Sequence, residues 1–487
     1  MANEVGILSY GAYVPRLRLQ RSAIAAANSW FSPGLRGMAR GERSMANWDE
    51  DTVTMAVEAA RDCLAGFDAA SLAAVSLAST THPFDDRQNT SIAAGALNLR
   101  RDLRSLDVSG SLRAATTALA TVNAVARGTD GPVLLMAAEH RLAKAASPQE
   151  MHYGDGAAAV LVGAGRPIAT LVGAHSETVD FVPQFRARDR AHDYAWEERW
   201  VRDEGYMKIV PRAVSALLRQ AGTDPASVSA FILPCTLPRV VPGVAKRVGT
   251  PEGAVRDNLA AVCGDTGAAH PLLMLVHALE EARPGDLVVV VAFDSGCDAL
   301  LFRVSDGITS LPARRGVKGS LARRKEEKAY QKYLAFNNLI TLDHGMRAEV
   351  DKGTPLSVLY RNRQMITGLI GGRCRNCGTV QYPKGRYCVN PKCRALDSQD
   401  DEPFAERPAA VMSYTADLLT YCPDPPAYYG MVEFEGGGRM MVDFTDVDEG
   451  TVEVGTPMRM VFRIKDVDAA RGFVRYFWKA APLTRPQ

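Results

Sequence analysis

Residues 285–304 read GDLVVVVAFDSGCDALLFRV. The apolar run Leu287–Phe293 is rich in β-branched residues and too short for a helix, so it predicts a strand buried on both faces. Asp294-Ser295-Gly296 then supplies a turn in which glycine permits positive φ, and Cys297–Val304 predicts the returning strand. Residues 131–163 repeat the device: the strand PVLLMAAE, a connection, Gly154-Asp155-Gly156, and a second strand, AAAVLVG. Each pair follows an Ala- and Leu-rich helical stretch. Two ordinary hairpins alike by coincidence are the alternative. The pattern favours a duplicated α/β unit, with halves meeting near residues 163–170.

The preceding sequence has the same texture. Asp49–Ala65 spaces Val53, Met55, Ala56, Ala59, Ala60 and Leu64 for a helix, and acidic residues at its start suit the helix dipole. Ala73–Ala78 and Pro132–Ala137 predict strands, and Ser111–Arg127 a buried small-residue helix. The chain of 487 residues is long enough for about three domains. The expected divisions are 1–165 and 166–308 for the two halves, 309–368 for a linker and helical segment, 369–402 for a metal-binding ribbon and 403–487 for a small β-barrel. Ala313–Lys332, basic and mixed with Glu, reads as a solvated connector followed by helix. Contact with the phosphates of a ligand is its lesser reading. The short strands after Pro408 fit a small barrel such as an OB-fold.

Hydrophobic residues are 47% of the chain, charged residues 23%, and net charge is +2, so nothing global favours nucleic acid or an anionic membrane. The opening MANEVGILSYGAYVP lacks the pattern of a secretory signal, and no run approaches the ~20 apolar residues of a membrane helix. Five of nine cysteines are scattered, which fits reduced thiols in the cytoplasm.

Cys374-x2-Cys377-x10-Cys388-x4-Cys393 is the strongest chemical motif. Four thiolates in two close pairs suit tetrahedral zinc, with iron the competing metal, and Gly378 permits the knuckle turn. With every position filled by protein sulfur, the ion is expected to be structural. A ribbon followed by a barrel also suits nucleic acid, and Phe473, Tyr476, Phe477 and Trp478 supply aromatics. The acidic residues Asp443, Asp446, Asp448, Glu449 and Glu453 oppose that reading.

Four segments, VGILSYGAYVPRLRL, DEDTVTMAVEAARDCL, GDGAAAVLVG and PGDLVVVVAFDSGCDALLF, resemble bacterial and archaeal 3-hydroxy-3-methylglutaryl-CoA (HMG-CoA) synthases of the thiolase superfamily. The C-terminal third resembles zinc-ribbon/OB-fold proteins that accompany thiolase-type enzymes. The resemblance implies a duplicated five-layer αβαβα fold, a CoA thioester as substrate and a homodimer. It also places the family's catalytic positions. The nucleophilic cysteine falls at Leu112 in Asp107–Thr116, and the general-acid glutamate at Thr80 in Ser79-Thr80-Thr81-His82-Pro83. The histidine falls at Pro234 or Cys235, and the asparagine at Asp265 in Gly264-Asp265-Thr266-Gly267. An acyl-enzyme therefore has no obvious attacker, and an ordinary HMG-CoA synthase is not expected.

The remaining candidates carry two readings each. Ser111 is a substitute nucleophile or a helix cap. Cys235 is a displaced nucleophile or a small buried residue. Asp265 and His270 are a base and its partner, or a cap and a packed side chain. Tyr194 and Tyr206, in the polar and aromatic stretch 192–206, supply acid/base groups and a pocket lid, or a dimer contact. Thr80, Leu112 and Arg113 are expected to line the substrate. The superfamily also includes steroid side-chain retro-aldolases that lack the nucleophile and pair with a zinc-ribbon/OB partner. By that likeness the first expectation is carbon–carbon chemistry beside a CoA thioester without a covalent step. A non-catalytic subunit that channels acyl-CoA for a separate thiolase is the second, and acyl transfer through Ser111 or Cys235 the third.

Overall fold

A computed structural model of the chain describes residues 4–350, 353 and 355–483. They form two compact units. The first takes the chain through Asn47, Asp51–Ser91 and Leu99–Tyr333, and the second takes Trp48–Glu50, Ile92–Asn98 and the chain from Leu334 onward.

The first unit is built on a nine-stranded mixed sheet. Its strands are β1 (Glu4–Tyr13), β2 (Ala74–Ala78), β3 (Arg104–Val108), β4 (Val133–Glu139), β5 (Gly156–Gly165), β6 (Ala169–Thr178), β7 (Ala230–Ile232), β8 (Leu287–Phe293) and β9 (Gly296–Val304). Their spatial order is β7-β8-β9-β6-β1-β5-β4-β2-β3. Antiparallel β1–β5 and β5–β4, followed by parallel β4–β2 and β2–β3, make one half. Antiparallel β6–β9 and β9–β8, followed by parallel β8–β7, make the other. The halves join where β1 and β6 pair antiparallel. In the second half the counterpart of β3 shrinks to a single parallel bridge between Phe231 and Val255. The duplication expected from the two strand–turn–strand segments is present.

The turn between β8 and β9 depends on glycine. Gly296 has φ +113°, and a Cβ there would lie 2.0 Å from the Glu177 carbonyl oxygen. Any side chain would push β6 away, so the motif admits no substitute.

The helices that layer this sheet include α1 (Thr52–Cys63), α2 (Ala114–Ala126), α3 (Val210–Gln220), α4 (Val240–Val248) and α5 (His270–Leu279). α2 and α5 share one core with strands of both halves. Each fully buried Leu or Val there contributes about 1.5–3 kcal/mol. α1 packs against β1, β4 and β5, while α3 and α4 share a separate core with β7, β8 and β9. This is the five-layer αβαβα arrangement. α1 begins at a capping box: the Asp51 side chain accepts from Thr54 N, and the Thr54 hydroxyl accepts from Asp51 N. α2 starts at Ala114 rather than Ser111: Arg113 is its N-cap, without a side-chain capping bond, and Ser111 and Leu112 lie in the turn before it.

The segment expected to be a solvated connector belongs to the first unit. Arg314 and Arg315 donate to carbonyls of Tyr10, Ala12 and Glu58, and Asp62 accepts from the backbone N–H groups of Arg315 and Gly316, each at 2.8 Å. These two arginines satisfy the backbone of β1 and α1, whereas Lys318, Arg324 and Lys328 of the same segment face water as expected. Lys325–Glu327 then pairs in parallel with Leu17–Gln20.

The second unit carries two small sheets. β10 (Ile370–Cys374) lies between β11 (Val380–Gln381) and β12 (Gln399–Pro403). The other sheet comprises β13 (Ala409–Asp417), β14 (Ala427–Phe434), β15 (Arg439–Asp443), β16 (Pro457–Asp468) and β17 (Phe473–Pro482), in the order β15-β14-β13-β16-β17. A bridge from Phe444 to Ala480 brings its ends together around Val432, Phe434, Phe462 and Trp478. Among the described residues no helix is long and apolar enough to cross a membrane.

Candidate functional site

In open α/β sheets the loops after the carboxyl ends of parallel strands converge on one edge. Here those loops follow β2, β3 and β4 in one half and β7 and β8 in the other, beside the N-terminal ends of α2 and α5. The topology thus gathers Thr80, Ser111–Arg113, Glu139–Arg141, Cys235, Asp265 and Asp294 from distant parts of the sequence.

The start of α2 is tightly tied. Asp294 accepts from Leu112 N at 2.7 Å and from the Ser111 hydroxyl at 3.1 Å. Burial pushes the Asp294 carboxyl above its usual range. The Ser111 oxygen also accepts from Arg113 N at 3.1 Å, within the turn that precedes α2. Arg113 pairs with Asp298 at 2.7 Å and donates to the carbonyls of Asp294 and Ser295. Its guanidinium therefore clamps the β8–β9 turn onto α2.

Thr80 meets a carboxyl group from elsewhere. Its backbone N–H and its hydroxyl donate to Glu139, as do the hydroxyls of Ser79 and Thr81. Glu139 also accepts from Ala268 N at 3.1 Å, which fastens the β2 loop to the turn before α5. Next to it, Arg141 pairs with Asp265 at 3.0 Å and lies over the Tyr153 ring at 3.8 Å. The Tyr153 hydroxyl donates to Asp193 at 3.0 Å, and Asp193 pairs with Arg186, which also donates to the Thr80 carbonyl. The stretch around residue 193 is thereby anchored to the site.

Burial disfavours the Asp265 charge, but Arg141 outweighs it and holds the carboxyl below its usual range. Gly267 N reinforces this by donating to Asp265 at 2.9 Å. The Tyr206 hydroxyl lies 3.4 Å from the Pro234 carbonyl, and burial beside Cys235 pushes the phenol well above its usual range. Burial likewise pushes the Cys235 thiol up to about 12.

His270 and Tyr194 are placed differently. His270 Nδ1 accepts from Thr266 N at 3.0 Å, and Nε2 lies 2.7 Å from the Asn258 carbonyl. Burial pulls its pKa down, so the ring is neutral and both nitrogens serve backbone. Tyr194 is 62% exposed and packs against Phe185.

Beneath the site, Asp155 of the Gly-Asp-Gly turn accepts from Ala46 N at 2.8 Å and pairs with His140 at 3.0 Å. Burial opposes both charges, yet the pairing raises His140 and lowers Asp155. Asp155→Asn is expected to destabilise the first unit by about 3 kcal/mol, the scale of a broken buried pair. The His140 contribution is full below about pH 6.5, its ordinary value, and declines as pH rises through the elevated folded value. Denaturation of both proteins at several pH values checks this; a gap that widens above pH 8 contradicts it.

In the second unit the sulfur atoms of Cys374, Cys377, Cys388 and Cys393 all lie within 4.8 Å of one another. Sγ distances are 3.9 Å for Cys374–Cys393 and 3.5 Å for Cys377–Cys388. Zinc–sulfur bonds of about 2.3 Å at tetrahedral angles require sulfurs about 3.8 Å apart, so the donor set fits zinc. Gly378, at φ +74°, makes the knuckle turn, and hydrogen bonds with Ser398 and Thr379 lower the Cys374 and Cys377 thiols. Both changes favour the thiolate that a metal needs, whereas burial raises the Cys388 thiol and the neighbouring sulfurs raise that of Cys393.

Residues 218–303 match the family model of the 3-oxoacyl-[acyl-carrier-protein] synthase III C terminus. Residues 368–397 match the ChsH2 rubredoxin-like zinc ribbon domain, and residues 404–463 the ChsH2 C-terminal OB-fold domain. The hydroxymethylglutaryl-CoA synthase of Caldivirga maquilingensis is 28% identical over 349 residues, covering 70% of this chain and 99% of that protein. That of Aeropyrum pernix is 29% identical over 331 residues, covering 66% and 92%. The chain carries an HMG-CoA-synthase-like thiolase fold. Solved structures agree on this fold. An HMG-CoA synthase complexed with CoA aligns at TM-score 0.59 and 17% identity, over 82% of this chain and 100% of that one. The 3-oxoacyl-[acyl-carrier-protein] synthase III of Aquifex aeolicus aligns at TM-score 0.54 and 20% identity, over 61% and 99%. In this thiolase-type unit the topology brings Thr80, Leu112, Pro234, Cys235 and Asp265 to one edge, while Tyr194 faces outward. Glu139, Arg141 and Tyr153 join that edge with no role expected from sequence, together with Asp193 of the polar stretch 192–206 and Asp294 of the Asp-Ser-Gly turn. Of Glu139, Arg141 and Tyr153, Glu139 left a signal: an acid ending the apolar strand PVLLMAAE.

Proposed function

We propose that the thiolase-type unit binds an acyl-CoA thioester and makes or breaks a carbon–carbon bond beside it without an acyl-enzyme. One observation carries this reading. Leu112 occupies the position that the resemblance gives to the attacking thiol, and Cys235, at the same edge, is kept protonated by burial, at about 12. A thiol in that state is a weak nucleophile. The likeness to hydroxymethylglutaryl-CoA synthases, one of them solved with CoA, supports a CoA thioester as ligand.

Carbanion chemistry needs a base and donors for the developing enolate oxygen. Asp265 is the base in this proposal, and the Tyr206 phenol, neutral at physiological pH, is a donor. In the retro-aldol direction the β-hydroxyl proton passes to Asp265 and the O–H electrons form the new carbonyl. The Cα–Cβ bond breaks, its electrons form the thioester enolate, and a proton added at Cα completes acyl-CoA. Thr80, Leu112 and Arg113 border the bound acyl group. Zinc is assigned a structural role, because four protein sulfurs leave no coordination position for water.

Incubation with radiolabelled acetyl-CoA followed by denaturation is expected to leave no label on the protein. In D2O the same thioester is expected to exchange its α-hydrogens, read by mass spectrometry. Stoichiometric retained label removes the proposal. Because the Asp265 pKa lies below the carboxylate range and that of Tyr206 above the phenol range, exchange is expected to stay flat from about pH 5 to 9. A bell centred near pH 7 assigns the base to a histidine instead. His270 favours a second reading, a non-catalytic acyl-CoA subunit, since backbone claims both its nitrogens. A wild-type protein that binds acetyl-CoA and exchanges nothing supports that alternative.

A further inference from the structure

Arg141 follows β4 two residues after Glu139 and is 1% exposed. Its Nη2 lies 3.0 Å from Asp265 Oδ2 and donates to the Asp265 carbonyl at 3.1 Å. Nε and Nη1 are buried and have no hydrogen-bond partner among the described residues. Tyr153 covers one side of the guanidinium at 3.8 Å, and Gly267 adjoins it so closely that a Cβ there would lie 2.8 Å from Nε. Space is thus made for an arginine held flat.

A buried guanidinium with free N–H groups is costly to keep for packing alone. Its surroundings limit what it can receive. Arg141 and Arg186 face the carboxyl groups of Asp265, Asp193 and Glu139. Three carboxyl groups against two arginines do not favour another fixed anion. They suit a neutral oxygen that becomes charged only during reaction.

We infer that Arg141 is a catalytic residue that donates from Nη1 to the thioester oxygen as the enolate forms, in a couple with Asp265. The inference rests on the carbon–carbon chemistry proposed above. In the resting state the Arg141 charge is matched by the Asp265 carboxylate. When Asp265 takes the substrate proton it becomes neutral, and its hold on Arg141 weakens. The electron pair released from the substrate bond makes the thioester oxygen negative, and the Arg141 charge turns to that oxygen. The number of charges in the site stays constant, so no new buried charge goes unmatched. Return of the proton to carbon reverses each change.

The probe is acetyl-CoA in D2O, with α-hydrogen exchange and binding measured separately on the full chain. Arg141→Lys keeps a cation for Asp265 but loses the fork, and is expected to exchange about 100-fold more slowly while binding acetyl-CoA within threefold of wild type. In Arg141→Ala, guanidinium ion in the millimolar range is expected to restore part of the rate. Wild-type exchange rates in a folded variant, or a loss explained wholly by weaker binding, overturn the inference. If neither variant folds, carboxymethyl-CoA, whose carboxylate imitates the enolate, is tested on wild type; its binding is expected to take up one proton, so that Asp265 is neutral as it is when the enolate forms. Binding at least tenfold tighter than acetyl-CoA is expected, and equal or weaker binding overturns the inference. A wild-type protein that exchanges nothing defeats the underlying chemistry, whereas normal exchange with an active Arg141→Lys defeats only the role of Arg141.

Discussion

Asp265→Asn is expected to slow α-hydrogen exchange of acetyl-CoA by about 1000-fold, within the range that a positioned base supplies. The side-chain amide oxygen still accepts from Gly267 N, as the carboxylate does at 2.9 Å. Shape is therefore kept and the proton acceptor is lost. The change also leaves the Arg141 charge buried without its anion, so stability is expected to fall by about 3 kcal/mol. Exchange must be measured well below the variant's melting temperature, with acetyl-CoA binding followed in parallel. A rate within fivefold of wild type excludes Asp265 as the base, whatever happens to stability.

Loss of zinc is expected to have the larger structural effect. A structural zinc contributes about 10–16 kcal/mol of apparent binding energy in peptides of this kind, and the ribbon has little core to replace it. Cys374 and Cys388 are the buried pair of ligands, with Cys377 exposed. Cys388→Ser, or a strong chelator, is expected to release one zinc per chain and abolish amide protection across residues 368–397. The first unit, with its own core around α2 and α5, is expected to keep its protection. Metal analysis and hydrogen exchange on the full chain test both statements. A ribbon that stays protected without metal removes zinc from its folding.

Local patterns carried much of the architecture. Leu287–Phe293 and Val133–Glu139 are buried along their whole lengths; the first is announced by its β-branched composition and the second by the apolar run before Glu139. The cysteine spacing likewise contained its geometry, since a short loop can bring four sulfurs together without help from distant chain. The basic stretch 313–332 divides for a physical reason: Arg314 and Arg315 turn inward, while Lys318, Arg324 and Lys328 stay in water. Charged side chains can satisfy buried backbone carbonyls, and composition does not distinguish that from water.

The catalytic candidates divide on the same line. Asp265 and His270 lie five positions apart in sequence, which suggests a base and its partner. Yet α5 begins at His270 and turns the ring into the core, where Thr266 and Asn258 take its nitrogens. The partner Asp265 does have is Arg141, 124 positions away. Tyr153 and Asp193, 40 positions apart, meet in the same way.

What the sequence determined by itself were the elements whose cause is local: the apolar strands, the glycine turns, the absence of a thiol at residue 112 and the four-sulfur ribbon. What only the tertiary structure decided was which charges meet, because a duplicated sheet brings loops from both halves to one edge. Burial there makes each charge depend on a partner that periodicity and spacing do not encode.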